Sequence, residues 1–155
     1  MPNESVSALS DVTYSLVYRH SLDDKRRLPV PFRWRPKEPL DFALVVWPKH
    51  PAGTCLRVLP PAAWAKFRAE IEAMQDTANK PALKRMIGSF STIIKLDAAG
   101  RLSIPEDMAT EADISSQAVL VGLLDRFEIW SPARYTEAKA QDGAIWKQAL
   151  DKMGE

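Results

Sequence analysis

An aspartate and an arginine four residues apart occur twice in this chain, in the same local company. Asp23 and Arg27 stand in the segment LDDKRRLPVP (22–31), and Asp97 and Arg101 in LDAAGRLSIP (96–105). The shared pattern is L-D-x-x-x-R-L-x-[VI]-P. A carboxylate opening a tight turn can accept bonds from the amides ahead of it, and a guanidinium closing the turn can pair with that carboxylate. Asp23 and Asp97 read chiefly as such turn residues, and Gly100 as the position that takes positive φ. The arginines have a second use open to them. A guanidinium at the end of a β-hairpin can be offered to phosphate or to guanine in the major groove. Arg27 is flanked by Lys25 and Arg26, which favours that use. Arg101 follows two alanines and a glycine, and both uses stay open there.

Charge around the first motif supports recognition of a polyanion. The chain of 155 residues has a formal net charge of only +1, yet residues 17–37 hold seven bases (Arg19, Lys25, Arg26, Arg27, Arg33, Arg35 and Lys37) against Asp23 and Asp24. A near-neutral protein with one basic patch can bind nucleic acid through that face, and a solvated surface is the plainer alternative. Residues 95–155 carry seven bases against eleven acids, so the second motif lies in acidic surroundings. The charge difference predicts a division of labour, with the first turn on DNA and the second holding the scaffold.

Catalytic chemistry has no foothold. His20 and His50 lack partners at metal-ligand spacing, and Cys55 is alone, which excludes an internal disulfide and a paired-cysteine zinc site. Asp23 and Asp24 are adjacent, so their side chains diverge. Neither a nucleophile elbow nor a phosphate-binding glycine loop occurs. No enzyme, metal or cofactor is expected. The first residues show neither a basic n-region nor a long apolar run, so no signal peptide is expected, no membrane partner, and a cytoplasmic location.

The motifs must be held by matching elements, because the chain repeats itself. The first block recurs at an offset of 74; a second, LRVLPPAAW (56–64), recurs as FEIWSPARY (127–135) at an offset of 71. Each copy reads strand, turn, short strand, helix, strand, turn, strand, with a helix appended. Strands are predicted over 13–22, 42–47, 54–59, 90–96, 101–104, 118–124 and 127–130. Pro105 and Pro132 suit first helical turns, and Ser131 suits an N-cap. Pro36 and Pro39 cut the central helix of the first copy. A stripe of Trp64, Phe67, Ile71 and Met74 and a terminal stripe of Ile145, Trp146, Leu150 and Met153 read as faces that one small chain does not cover. Trp34, between two arginines, reads as core or as a stacking group.

The paired D-x-x-x-R turns, the following [VI]-P, the segment VGLLDRFEIW (121–130) and the duplication resemble the MraZ family of bacterial transcription regulators, built of two SpoVT–AbrB-type repeats. The resemblance spans about residues 14–140. It implies an α+β, mainly β, AbrB-like swapped-hairpin double-split barrel with appended helices. The expected divisions are a flexible extension over 1–12, repeat 1 over 13–64, connecting helices over 65–89, repeat 2 over 90–135 and a C-terminal helix over 136–155. It further implies ring-like homo-oligomers larger than a dimer, a nucleoid-associated location, and binding of repeated double-stranded DNA sites upstream of division and cell-wall genes. Lys25, Arg26, Arg27, Arg19, Arg33 and Arg101 are the candidate DNA contacts. The alternative is an antitoxin-like assembly module that binds a protein partner. One departure stands out: Arg26 occupies the place of the expected glycine, where positive φ costs a side-chain-bearing residue about 1 kcal/mol.

Overall fold

The computed structural model describes residues 12–155. Among these residues eight strands form in chain order: β1 Val17–Ser21, β2 Arg27–Pro29, β3 Phe42–Trp47, β4 Cys55–Leu59, β5 Ser91–Ile94, β6 Arg101–Ser103, β7 Gln117–Gly122 and β8 Phe127–Trp130. Among the described residues four α-helices accompany them: α1 Pro61–Glu72, α2 Asn79–Ser89, α3 Glu106–Glu111 and α4 Pro132–Met153. The fold is α+β, dominated by antiparallel pairing, with α4 appended at the C-terminus.

Six strands make one sheet in the order β1-β7-β8-β4-β3-β5, and β2 pairs with β6 in a separate ribbon. Partnership crosses between the repeats. The first strand of each copy pairs with the third strand of the other, β1 with β7 and β5 with β3. The sequence repeat becomes an approximate twofold. Leu28 sits opposite Leu102, its counterpart at offset 74, and Arg57 sits opposite Glu128, its counterpart at offset 71.

The ribbon covers one face of the large sheet. Leu28, Val30, Leu102 and Ile104 meet Leu44, Leu56, Val58, Leu120, Phe127 and Ile129 in the main core. The opposite face is covered in two parts. Ala43, Val45 and Leu59 lie under α1 and α2, and Cys55, Val119 and Trp130 lie under Tyr135 and Ala138 of α4. Burial on both faces explains why β3 reads as an unbroken apolar run rather than an alternation.

The expectations for repeat 1 and its surroundings are met in part. The strand foreseen over 13–22 shortens to Val17–Ser21, because Leu16 adopts φ 76° and Tyr14 makes only an isolated bridge to Leu124, itself at φ 72°. The central helix of repeat 1 is reduced to a 3-10 turn, Phe32–Trp34, before Pro36. Trp34 is core: it is fully buried among Tyr14, Tyr18 and Phe127, with its Nε1 donating to the Ser15 carbonyl at 3.0 Å. The Trp64/Phe67/Ile71 face packs toward β3, β4 and α2; Ile71 is buried, while Trp64 and Phe67 stay half-buried. Of the foreseen extension 1–12, Val12 packs against the main core, and residues 1–11 lie outside the described residues.

Candidate nucleic-acid interface

Each motif aspartate organises its turn in the same way. Asp23 Oδ1 accepts the Lys25 and Arg27 amides at 3.0 and 2.9 Å, while Oδ2 accepts Arg27 Nε at 2.6 Å. Asp97 Oδ1 accepts the Ala99 and Arg101 amides at 3.0 and 2.9 Å, while Oδ2 accepts Arg101 Nε at 2.9 Å. The turn itself closes through Arg26 N to Asp23 O and Gly100 N to Asp97 O. This is a type I turn followed by a left-handed residue, a common three-residue hairpin loop. Bonding to the following arginine's amide is the main reason both carboxyls are held below the usual carboxylate range; the guanidinium adds to it.

The left-handed position is filled by Gly100 at φ 78° in one turn and by Arg26 at φ 57° in the other. The turn type is therefore retained in repeat 1, and the arginine bears the strain. Its side chain has a use: Arg26 Nε donates to the Ile104 carbonyl at 3.0 Å, across the ribbon in the other repeat. The Ile104 amide in turn bonds the Arg26 carbonyl.

The ribbon brings the two turns together. Arg27 and Arg101 lie near opposite ends of the three-pair β2–β6 ladder, and Arg101 Nη1 reaches Asp23 Oδ2 at 3.8 Å. Each arginine commits Nε to its own aspartate. Both side chains stay about one-third exposed, at 31% and 33%. A guanidinium clamped at Nε presents its Nη edge in a fixed direction, the arrangement suited to a phosphate or a guanine. Arg27 and Arg101 thus share one clamp geometry, and Arg101 also approaches the first turn's aspartate.

The other candidates divide between this surface and the rest of the molecule. Lys25 is exposed at the first turn, and Arg33 is exposed on the 3-10 turn. Arg19 leaves the group: its guanidinium lies 5.8 Å over the Tyr135 ring of α4. Sequence reasoning missed the weight of Arg35, whose Nε donates to the Val30 carbonyl at 2.8 Å beside Gly100. Cys55 is buried, and burial followed by the Glu128 charge raises its thiol far above the ordinary range, so it is no nucleophile.

Comparison with known proteins decides the family. Residues 91–152 match the model of the family described as "MraZ protein, putative antitoxin-like". The protein named transcriptional regulator MraZ of Roseiflexus castenholzii is 33% identical over 140 residues, covering 88% of this chain and 95% of the relative. The chain belongs to the MraZ family. Proteins of the same name from Moorella thermoacetica and Shewanella loihica are 30% and 32% identical, covering 88% and 84% of this chain and 93% and 80% of their own lengths. MraZ relatives are thus named as regulators of transcription, not as enzymes. The family match falls on the second repeat and α4, the half with Gly100 in its turn and a regular central helix. No helix among the described residues is long and apolar enough to cross a membrane.

Proposed function

We propose that this MraZ chain is a sequence-specific DNA-binding transcriptional regulator that grips double-stranded DNA through the paired hairpin turns. The observation that carries the reading is the adjacency of two guanidiniums, Arg27 and Arg101, each aimed by its own aspartate. The names of its relatives support regulation of transcription. Lys25 and Arg26 add charge beside Arg27, and Arg33 extends the basic surface, whereas Arg19 is better placed to pack on Tyr135. In this reading the interlocked strands form an AbrB-like swapped-hairpin barrel. Its repeats span about 13–64 and 90–135, with 65–89, most of α1 and all of α2, as the connection and 136–155, the greater part of α4, as the C-terminal segment.

Few contacts per chain favour an assembly that places several chains on repeated sites. The reading is therefore of a ring-like homo-oligomer larger than a dimer, acting in the cytoplasm at the nucleoid on DNA upstream of division and cell-wall genes. The test is a gel shift with duplexes from those upstream regions, titrated with salt. Tight binding to a repeated site, weakening steeply as salt rises, is expected. Equal and weak binding to every duplex would turn the case toward a protein-partner module.

A further inference from the structure

Arg26 and Arg35 stand at unrelated positions in the sequence, yet their guanidiniums occupy related places in the fold. Across the approximate twofold, Val30 corresponds to Ile104 and Arg26 to Gly100. Arg26 sends its Nε to the Ile104 carbonyl at 3.0 Å. The matching carbonyl, Val30, receives a guanidinium too, from Arg35 Nε at 2.8 Å. The backbone bonds match as well, since Ile104 N meets Arg26 O and Val30 N meets Gly100 O. Gly100 has no side chain to send. A Cβ built on Gly100 would overlap the Arg35 guanidinium, so the space over the glycine is already filled. Gly100 is accordingly buried, although it sits in a turn between exposed alanines and a half-buried arginine.

We infer that Arg35, outside the Asp–Arg motif, supplies to the second turn the guanidinium that Arg26 supplies to the first, and is a DNA contact of the same surface. This rests on the DNA-binding reading of the turns. Each side of the twofold then presents two guanidiniums, Arg26 with Arg27 and Arg35 with Arg101. Among the described residues no protein acceptor takes the Nη nitrogens of Arg26 or Arg35, and both side chains are half-buried rather than enclosed. The chemistry that fits several guanidiniums with Nη nitrogens left unbonded is a run of phosphates along a nucleic-acid backbone. Arg35 also lies 5.7 Å from the ring of the exposed Phe32, a cation–π contact that steadies its direction.

The experiment uses the full-length chain and a fluorescent duplex from upstream of the division genes, with Arg27→Ala as reference. Arg35→Ala and Arg35→Gln are each expected to bind about 10-fold more weakly, with a salt slope shallower by about one, as for a lost phosphate contact. Arg26→Gly, which relieves the positive φ while removing the guanidinium, should do the same. Gly100→Arg alone should melt lower, because its side chain meets Arg35. The double variant Arg35→Ala/Gly100→Arg should regain both affinity and salt slope, with the new arginine reaching Val30 as Arg26 reaches Ile104. If Arg27→Ala weakens binding but both Arg35 variants bind with wild-type affinity and slope, the inference is overturned and the DNA reading stands. It is overturned likewise if the double variant regains its melting temperature but not its affinity. If the wild-type chain shows no salt-dependent binding, both fall together.

Discussion

A single carboxylate does three tasks in each hairpin, and this sets what its loss should do. Asp23 bonds two amides and aims Arg27; Asp97 does the same for Arg101. Asp23→Ala should therefore lower both melting temperature and DNA affinity, because the turn opens and the guanidinium is freed together. Arg27→Ala should leave the fold in place and reduce affinity by about 1–3 kcal/mol if the guanidinium reads a base. Arg101→Ala should behave alike, since its clamp is the same; a variant that loses melting temperature and keeps its affinity would favour the scaffold role that the charge pattern suggests. Acid provides a further check. Both carboxyls are held below their ordinary range in the folded chain, so their contribution is complete at neutral pH and down to the ordinary carboxylate pKa. It should be lost as pH falls further, through the lowered folded values. In Asp23→Asn/Asp97→Asn the acid-side fall in melting temperature should be smaller than in the wild type; an unchanged fall would assign it to other carboxylates. At this scale the motif residues were legible in the sequence, because a turn's hydrogen bonds are local. Arg35 was not, because its partner Gly100 is distant in the chain and only the ribbon brings them together.

Among the elements, the junction of β4 and β8 holds the halves of the sheet together. There Arg57 and Glu128 face each other on the approximate twofold, with Arg57 Nε on Glu128 Oε2 at 2.7 Å. Glu128 is buried, and its other oxygen accepts Trp130 Nε1 at 2.9 Å. Arg57 lies 4.2 Å over the Trp47 ring. Removing one member of a buried pair costs more than the pair contributes, because the partner's charge is stranded. Glu128→Ala should cost about 3 kcal/mol in denaturant unfolding. The exchange Arg57→Glu/Glu128→Arg should recover only part of this, because Trp47 and Trp130 each lie beside one member of the pair and are left with the wrong one. Full recovery would show that neither tryptophan contact matters. The offsets of 74 and 71 were visible in the sequence, and they are the spacings of the residues that pair on the twofold. What the repeat could not reveal was the exchange of strands. Local alternation predicts that β1 exists, but not that it leaves its own repeat to pair with β7. Nor did it show where the backbone bends: Leu16 and Leu124 take positive φ with no glycine to signal it.

At the scale of the whole molecule, α4 runs on past the surface beneath it. A helix of 22 residues extends about 33 Å, yet only Tyr135 and Ala138 of α4 are buried, both in its first two turns. Beyond Gln141 the helix continues exposed, carrying Ile145, Trp146, Leu150 and Met153. Trp146 and Met153 are 64% and 76% exposed. Intrinsic propensity alone gives an unpacked helical end little stability, and most helical stability in proteins comes from packing an apolar face. An apolar stripe on a projecting end is the mark of a contact surface. A second copy of this chain fits the proposed assembly, since every copy brings the same stripe. Truncation after Gln141 should therefore lower the mass measured by light scattering while the remaining chain keeps its sheet and its melting transition. DNA affinity should fall with it, more steeply on a duplex with several repeats than on one with a single repeat, because linked contacts are lost and each turn is intact. Trp146→Ala should reproduce the effect in part. A truncated protein of unchanged mass would remove this stripe from the assembly; one that loses mass but binds the repeated duplex as tightly as before would separate assembly from DNA recognition altogether.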